Sequence, residues 1–224
     1  MKGFLSSSIG KKLLMSLSGL FLIVFLLVHL TVNITMLFDP IEGKVYNTAA
    51  NFMGTNPIMK VMEPILAFGF FIHILYGFIV QFNNWKARGN NKYAVVNQKD
   101  SSTWASRNMI WLGIFVFAFL VVHIINYYAI LKFGEPPSTH VGGVEMHDTF
   151  KLVSDLFAIW WYDVIYIIGF IALGLHLHHA LWSAFQTIGL NNKLWRRRLE
   201  VIGDIYTVIV VIGFTIIPLY FLIF

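Results

Sequence analysis

Long apolar runs separated by short polar stretches dominate the chain. Runs of about 20 residues, enough to cross a bilayer, occur five times, over 13–37, 61–82, 108–131, 157–185 and 204–224. Continuous apolar sequence of this length is the mark of membrane-spanning helices rather than of half-buried soluble ones. Gly89-Asn90-Asn91-Lys92 and Gly134-Glu135-Pro136-Pro137 are polar breaks that read as loops. The second opens a connection of about two dozen residues, longer than most simple ones. The pattern predicts an all-α integral membrane protein, a single domain over 1–224 with five transmembrane helices. No inverted repeat of the transporter kind is evident, and five spans do not divide evenly. The opening MKGFLSSSIGKKLLMSLSGLFLIVFLLVHL has a basic flank but an apolar stretch too long for a signal-peptide core. It reads as the first span, retained.

Composition agrees: 58% of residues are hydrophobic and only 12% charged, about half the charged share of a soluble domain. Of the sixteen basic residues, twelve fall on one side of the predicted spans. They are Lys2, Lys11 and Lys12 before the first span, Lys86, Arg88, Lys92, Lys99 and Arg107 between the second and third, and Lys193, Arg196, Arg197 and Arg198 between the fourth and fifth. Lys44, Lys60, Lys132 and Lys151 lie on the other side. By the positive-inside rule the side with twelve is cytoplasmic, which places the N-terminus inside and the C-terminus outside. The net charge of +5 follows from this asymmetry and needs no nucleic acid. There is no cysteine, so the chain builds no disulfide, thiolate-held iron–sulfur cluster or cysteine-anchored haem.

Ionisable side chains inside spans are functional candidates, and each of the first four spans carries histidine: His29, His73, His123, and the cluster His176, His178 and His179. His29 follows Lys12 by 17 residues and His123 follows Arg107 by 16; at 1.5 Å per residue both lie about 25 Å from the inner boundary. If the fourth helix leaves the membrane near Gln186, His176 is about 15 Å from that boundary, and His73 belongs with it. The expectation is one outer pair, His29 and His123, and one inner pair, His73 and His176. One such histidine alone is readily explained by a hydrogen bond between helices or by a proton path. Four, paired by depth, match the axial ligands of two six-coordinate b-type haems, a ligation that leaves no open site for oxygen and suits electron transfer. Zinc fits less well without cysteine or clustered carboxylates at those depths.

A flat porphyrin needs small residues one and two turns from its ligand. Around His176 these positions hold Gly169, Ala172, Ala180 and Ser183; around His178 they hold Ile171, Gly174, Trp182 and Phe185. His179 is intermediate, and His73 has Gly69 and Gly77 at i±4. Small residues also mark close helix packing. The ligand is expected to be His176, with His178 turned away. Gly19 and Gly113, each ten residues before its outer histidine, are candidates to let a ring approach both backbones.

LLVHLTVN in the first span, HILYG in the second, RNMIW and VVHI in the third and HLHHALWSAFQTIGL in the fourth, with the SSSIGKKLLMSLSGL opening, resemble the diheme cytochrome b membrane anchor of succinate dehydrogenase and fumarate reductase. The resemblance covers all five spans. It implies His29 and His123 on the outer haem, His73 and His176 on the inner one, and a place in the bacterial cytoplasmic (inner) membrane. It also implies a flavoprotein partner with FAD and the dicarboxylate site, an iron–sulfur partner with its clusters, and a quinone, menaquinone above all, as electron partner within the lipid. As a membrane subunit of a succinate:quinone oxidoreductase, the chain would serve catalysis without performing the dicarboxylate chemistry. Some members carry a glutamate two residues before the inner ligand for proton transfer; here that position is Gly174.

Quinone chemistry couples electrons to protons and needs a proton donor or acceptor. Glu63, before Pro64 at the outer end of the second span, is the candidate, with Asp163 and Asn33 as others; an interfacial carboxylate facing water is the plain alternative. His140 and His147 read as solvated loop residues. Three rival readings stand beside the anchor: a hydrogenase- or formate-dehydrogenase-type cytochrome b, a haem-free transporter using histidines as a proton relay, and a purely structural anchor without haem.

Overall fold

The computed structural model describes residues 7–88, 104–190 and 192–224. In chain order these form α1 (Ser8–Ile34), α2 (Lys44–Thr55), α3 (Pro57–Arg88), α4 (Trp104–His123), a π-helical turn (Ile124–Tyr128), α5 (Ala129–Phe133), β1 (Ser138–Val141), β2 (Val144–His147), α6 (Thr149–Phe157), α7 (Trp160–Thr187) and α8 (Lys193–Ile223). Lys2, Lys92 and Lys99, and the whole of the break expected at 89–92, lie outside the described residues.

Five helical stretches are long and apolar enough to cross a membrane: Ser8–Leu37, Pro57–Ala87, Arg107–Phe133, Trp160–Thr187 and Trp195–Ile223. Each apolar run lies within or largely within one of them. They reach 27 to 31 residues, because a helix continues through its polar flanks until a cap or breaker ends it. Ser7 accepts a hydrogen bond from the Gly10 N–H at 3.0 Å to start α1, and Asn192 accepts from the Trp195 N–H at 2.8 Å to start α8. Before α3, the Asn56 side chain accepts from the Ile58 N–H at 2.9 Å, and Pro57 sits where a missing N–H costs nothing.

The helices form a four-membered ring with one outrigger. α1 packs on α3 and α7, α4 packs on α7, and α3 touches α4 slightly; α8 lies against α7 and α1. Tyr206 of α8 donates to the Ile23 carbonyl of α1 at 2.6 Å, fixing the outrigger. The diagonals of the ring are α1 with α4 and α3 with α7, and neither diagonal pair packs directly over any length. Large apolar side chains stand out from the ring, among them Val24, Phe68, Phe71, Phe115, Ile168 and Ile212. A shell of this kind would be a severe liability in water and is what hydrocarbon solvates.

At one end lies a cap that the hydrophobic pattern did not predict. It consists of α2, the antiparallel hairpin β1–β2 and the short α6, so the long connection after α5 is structured and the chain is not wholly α-helical. Asn47, 1% exposed, ties the cap together. Its amide donates to Asp148 at 2.9 Å and its carbonyl accepts from the Phe150 N–H at 2.8 Å, while Asp148 caps α6. Gly43 enters α2 with φ +65°, and an added Cβ there would run into the Phe150 ring, so both the turn and the packing require glycine. Burial holds the Tyr46 phenol above its ordinary range, and Asp155 does the same for Lys151. The opposite end carries Lys11, Lys12, Lys86 and the 193–198 basic run.

Candidate functional site: two facing histidine pairs

The four histidines meet in two pairs across the diagonals of the ring. His29 of α1 faces His123 of α4 with ring centroids 5.7 Å apart and planes at 90°. His73 of α3 faces His176 of α7 at 6.2 Å and 81°. All four residues are partly buried. The pairs stand one above the other. Gly19 of α1 abuts His73, and Gly113 of α4 abuts His176, so on both helices the step from one level to the other is ten residues, about 15 Å of helix.

This corrects one expectation. Gly19 and Gly113 serve the pair nearer the basic end, not the pair on their own helices. A Cβ on Gly19 would lie 3.2 Å from the His73 ring, and one on Gly113 3.7 Å from the His176 ring. The small residues near the ligands are also partly claimed: the Phe21 ring fills the space over Gly69 and the Phe119 ring that over Gly169, while nothing approaches Gly77. A Cβ on Gly174 would fall 2.5 Å from Val211, so close contact between α7 and α8 leaves no room for a glutamate there.

A further regularity escapes a search for inverted repeats. Residues 19–29 read GLFLIVFLLVH and 113–123 read GIFVFAFLVVH, sharing Gly, two Phe, Leu, Val and His at the same spacing. α1 and α4 are a parallel repeat, and the repeated residues do matching work. Phe25 stacks on His29 at 5.3 Å and Phe119 lies 6.2 Å from His123, each four residues before its histidine.

The two environments differ. Around His29 and His123 is a box of rings: Phe25, Phe119, Tyr127, Tyr166 and Phe214, the last at 5.6 Å from His29. The π-helical turn begins directly after His123, a distortion often found at functional positions, and within it Asn126 donates to the Tyr166 hydroxyl at 3.2 Å. Asn33 donates to the His29 carbonyl at 2.8 Å and sets its amide nitrogen 3.5 Å from Nδ1. Around the other pair the surroundings are small and polar. His73 Nδ1 lies 3.4 Å from the Met15 carbonyl and 3.5 Å from Ser18 Oγ. A carbonyl only accepts, so this contact favours the tautomer with Nδ1 protonated and Nε2 carrying the lone pair.

His178, turned from the pairs, meets Asp204 of α8 at 2.7 Å with both side chains about half exposed. Glu63 lies at the cap end, where one oxygen accepts from the Tyr128 hydroxyl at 2.5 Å and the other pairs with Lys132 at 2.8 Å. That ties the second span to the third and is more than a carboxylate facing water. Asp163 is 0% exposed with no hydrogen-bond partner on either oxygen. His140 and His147 fall on the hairpin strands.

The pairs suit a group that brings most of its own ligands. Two imidazoles on opposite sides of one metal, each bonded at about 2 Å, have ring centres roughly 6 Å apart, close to both observed spacings. Among the described residues, no three histidine, cysteine or carboxylate side chains converge as a metal site. Tetrahedral zinc needs about four protein ligands, whereas a haem needs only the two axial positions. Comparison of the chain with protein-family models, with curated proteins and with solved structures finds no match.

Proposed function

We propose that the chain is the diheme cytochrome b membrane anchor of a succinate dehydrogenase or fumarate reductase complex. In this reading His29 and His123 hold an outer haem b, and His73 and His176 an inner one. The carrying observation is the two imidazole pairs, each facing across a ring diagonal along which the helices do not pack. Cofactors held between facing helices of a bundle are a recurrent construction.

A haem held by each pair would supply one-electron transfer. The chain's own residues hold and tune it. The Met15 carbonyl and Ser18 orient His73 and strengthen it as a donor. The Phe25 and Phe119 rings brace the outer imidazoles and keep water from them. The basic end faces the cytoplasm and the iron–sulfur and flavoprotein partners, the cap faces outward, and the membrane is the bacterial cytoplasmic one. Glu63, with Tyr128 and Lys132, stands at the outer rim as a proton donor or acceptor for quinone or menaquinone.

The test is a dithionite-reduced minus oxidised spectrum of the purified complex, with pyridine haemochrome quantitation against this chain. Two haems b are expected, one after His176→Ala, and two still after His178→Ala. No haem in the unaltered complex overturns the reading and leaves the histidines to packing or proton relay.

A further inference from the structure

The buried polar group least accounted for is Asp163. It stands in the first turn of α7, 0% exposed, and neither carboxylate oxygen has a hydrogen-bond partner. Native proteins rarely leave a buried carboxyl group so, and such exceptions call for a functional account. Glu63, by contrast, has both oxygens engaged.

The surroundings of Asp163 lead in two directions. Towards the outer histidines, Tyr166 lies one turn along α7 with its ring 6.1 Å from His123. Tyr127, on the π-helical turn and within electrostatic reach of Asp163, has its ring 5.2 Å from His123. Towards the aqueous phase stands the cap, where α2 buries Tyr46 and Asn47 and α6 presses Phe157 onto Tyr166 at 5.1 Å. The titratable groups facing this region are phenols: Tyr127 from the third span, Tyr162 and Tyr166 from α7, and Tyr46 from α2. The cap's carboxylate there, Asp148, is held by Asn47, and no lysine or arginine bonds Asp163.

Resting on the function proposed above, we propose that Asp163 is a second carboxyl group, buried where Glu63 is partly exposed, through which a quinone beside the outer haem exchanges protons with the outer aqueous phase. Reducing one quinone takes two electrons, which come singly through the haems from dicarboxylate oxidation on the partner subunits, and two protons. The Asp163 O–H gives one proton to a quinone oxygen, is reloaded from outside, and gives the second. Both C=O groups become C–OH. Quinol oxidation runs the same steps in reverse, the carboxylate accepting each proton.

The experiment compares the whole complex, unaltered and as Asp163→Asn, in two assays with a menaquinone analogue and with a dye that takes electrons at the flavoprotein. The asparagine keeps shape and burial but carries no exchangeable acid proton. Quinone-linked turnover is expected to fall at least tenfold while dye-linked turnover and two haems per chain report intact assembly. Asp163→Glu is expected to recover part of the rate with a shifted pH profile. Quinone-linked turnover of Asp163→Asn within twofold of the unaltered complex, with the same pH profile, overturns the proposal. Should the asparagine variant fail to assemble, an unshifted pH profile in Asp163→Glu overturns it instead. Haem content of the unaltered complex decides the underlying reading separately.

Discussion

The pair His73–His176 and the pair His29–His123 share a geometry and differ in what enforces it. Near the basic end the histidines are admitted by absence of bulk: Gly19 and Gly113 let the rings lie against the backbones of α1 and α4, and the Met15 carbonyl sets the tautomer of His73. Near the cap the histidines are confined by bulk, inside five aromatic side chains, and the group beside His29 Nδ1 is a donor, Asn33. One motif, repeated on α1 and α4, serves both levels, its glycine at one and its phenylalanine and histidine at the other. A repeat can therefore build two sites of equal spacing and unequal chemistry. The carbonyl at His73 raises ligand basicity, which favours ferric iron, whereas the neighbour of His29 Nδ1 is the Asn33 amide nitrogen at 3.5 Å, which accepts no proton. The inner haem is accordingly expected at the lower midpoint potential.

The largest effect should come from filling a glycine. Gly19→Leu places side-chain atoms where the His73 ring stands, since even a Cβ would be 3.2 Å away. The inner haem should be lost and the outer kept, so haem per chain falls from two to one, while Gly54→Ala, on α2 of the cap with nothing within 4 Å, keeps both. Loss of the outer haem instead would reverse the assignment of Gly19. A smaller effect separates the tautomer settings. Asn33→Asp puts an acceptor where the amide nitrogen lies 3.5 Å from His29 Nδ1, a change of about 1 kcal/mol or roughly 40 mV, and redox titration should find the outer midpoint lowered and the inner one unmoved. The smallest concerns the cap, which covers the outer pair alone. Burial raises the Tyr46 phenol above its unfolded value, so its contribution is complete below about pH 10 and declines as the pH rises beyond it. Hydrogen exchange in α2 should quicken above that pH, and Tyr46→Phe should remove this part of the dependence.

Much of the site was legible in the sequence. Four histidines on four spans at two depths are a pattern in one dimension, and helical rise converts it to height. The choice of His176 over His178 also follows from the chain, because i±4 and i±7 neighbours share a face; the fold turns His176 to His73 and His178 to Asp204. What went unread was too short to register as a span. Asn47, the hairpin and α6 form a cap whose amphipathic stretches are shorter than a span, and the π-helical turn after His123 leaves no mark in hydropathy.

The sequence by itself determined the five spans, their polar boundaries and the heights of the histidines, because hydrophobicity and helical rise are properties of the local chain. Only the tertiary structure decided which helices became diagonals, which glycine served which ring, and that Asp163 is buried without a partner while Glu63 is held by two. Those are relations between distant residues, and they depend on how helices rotate and pack, which no local pattern encodes.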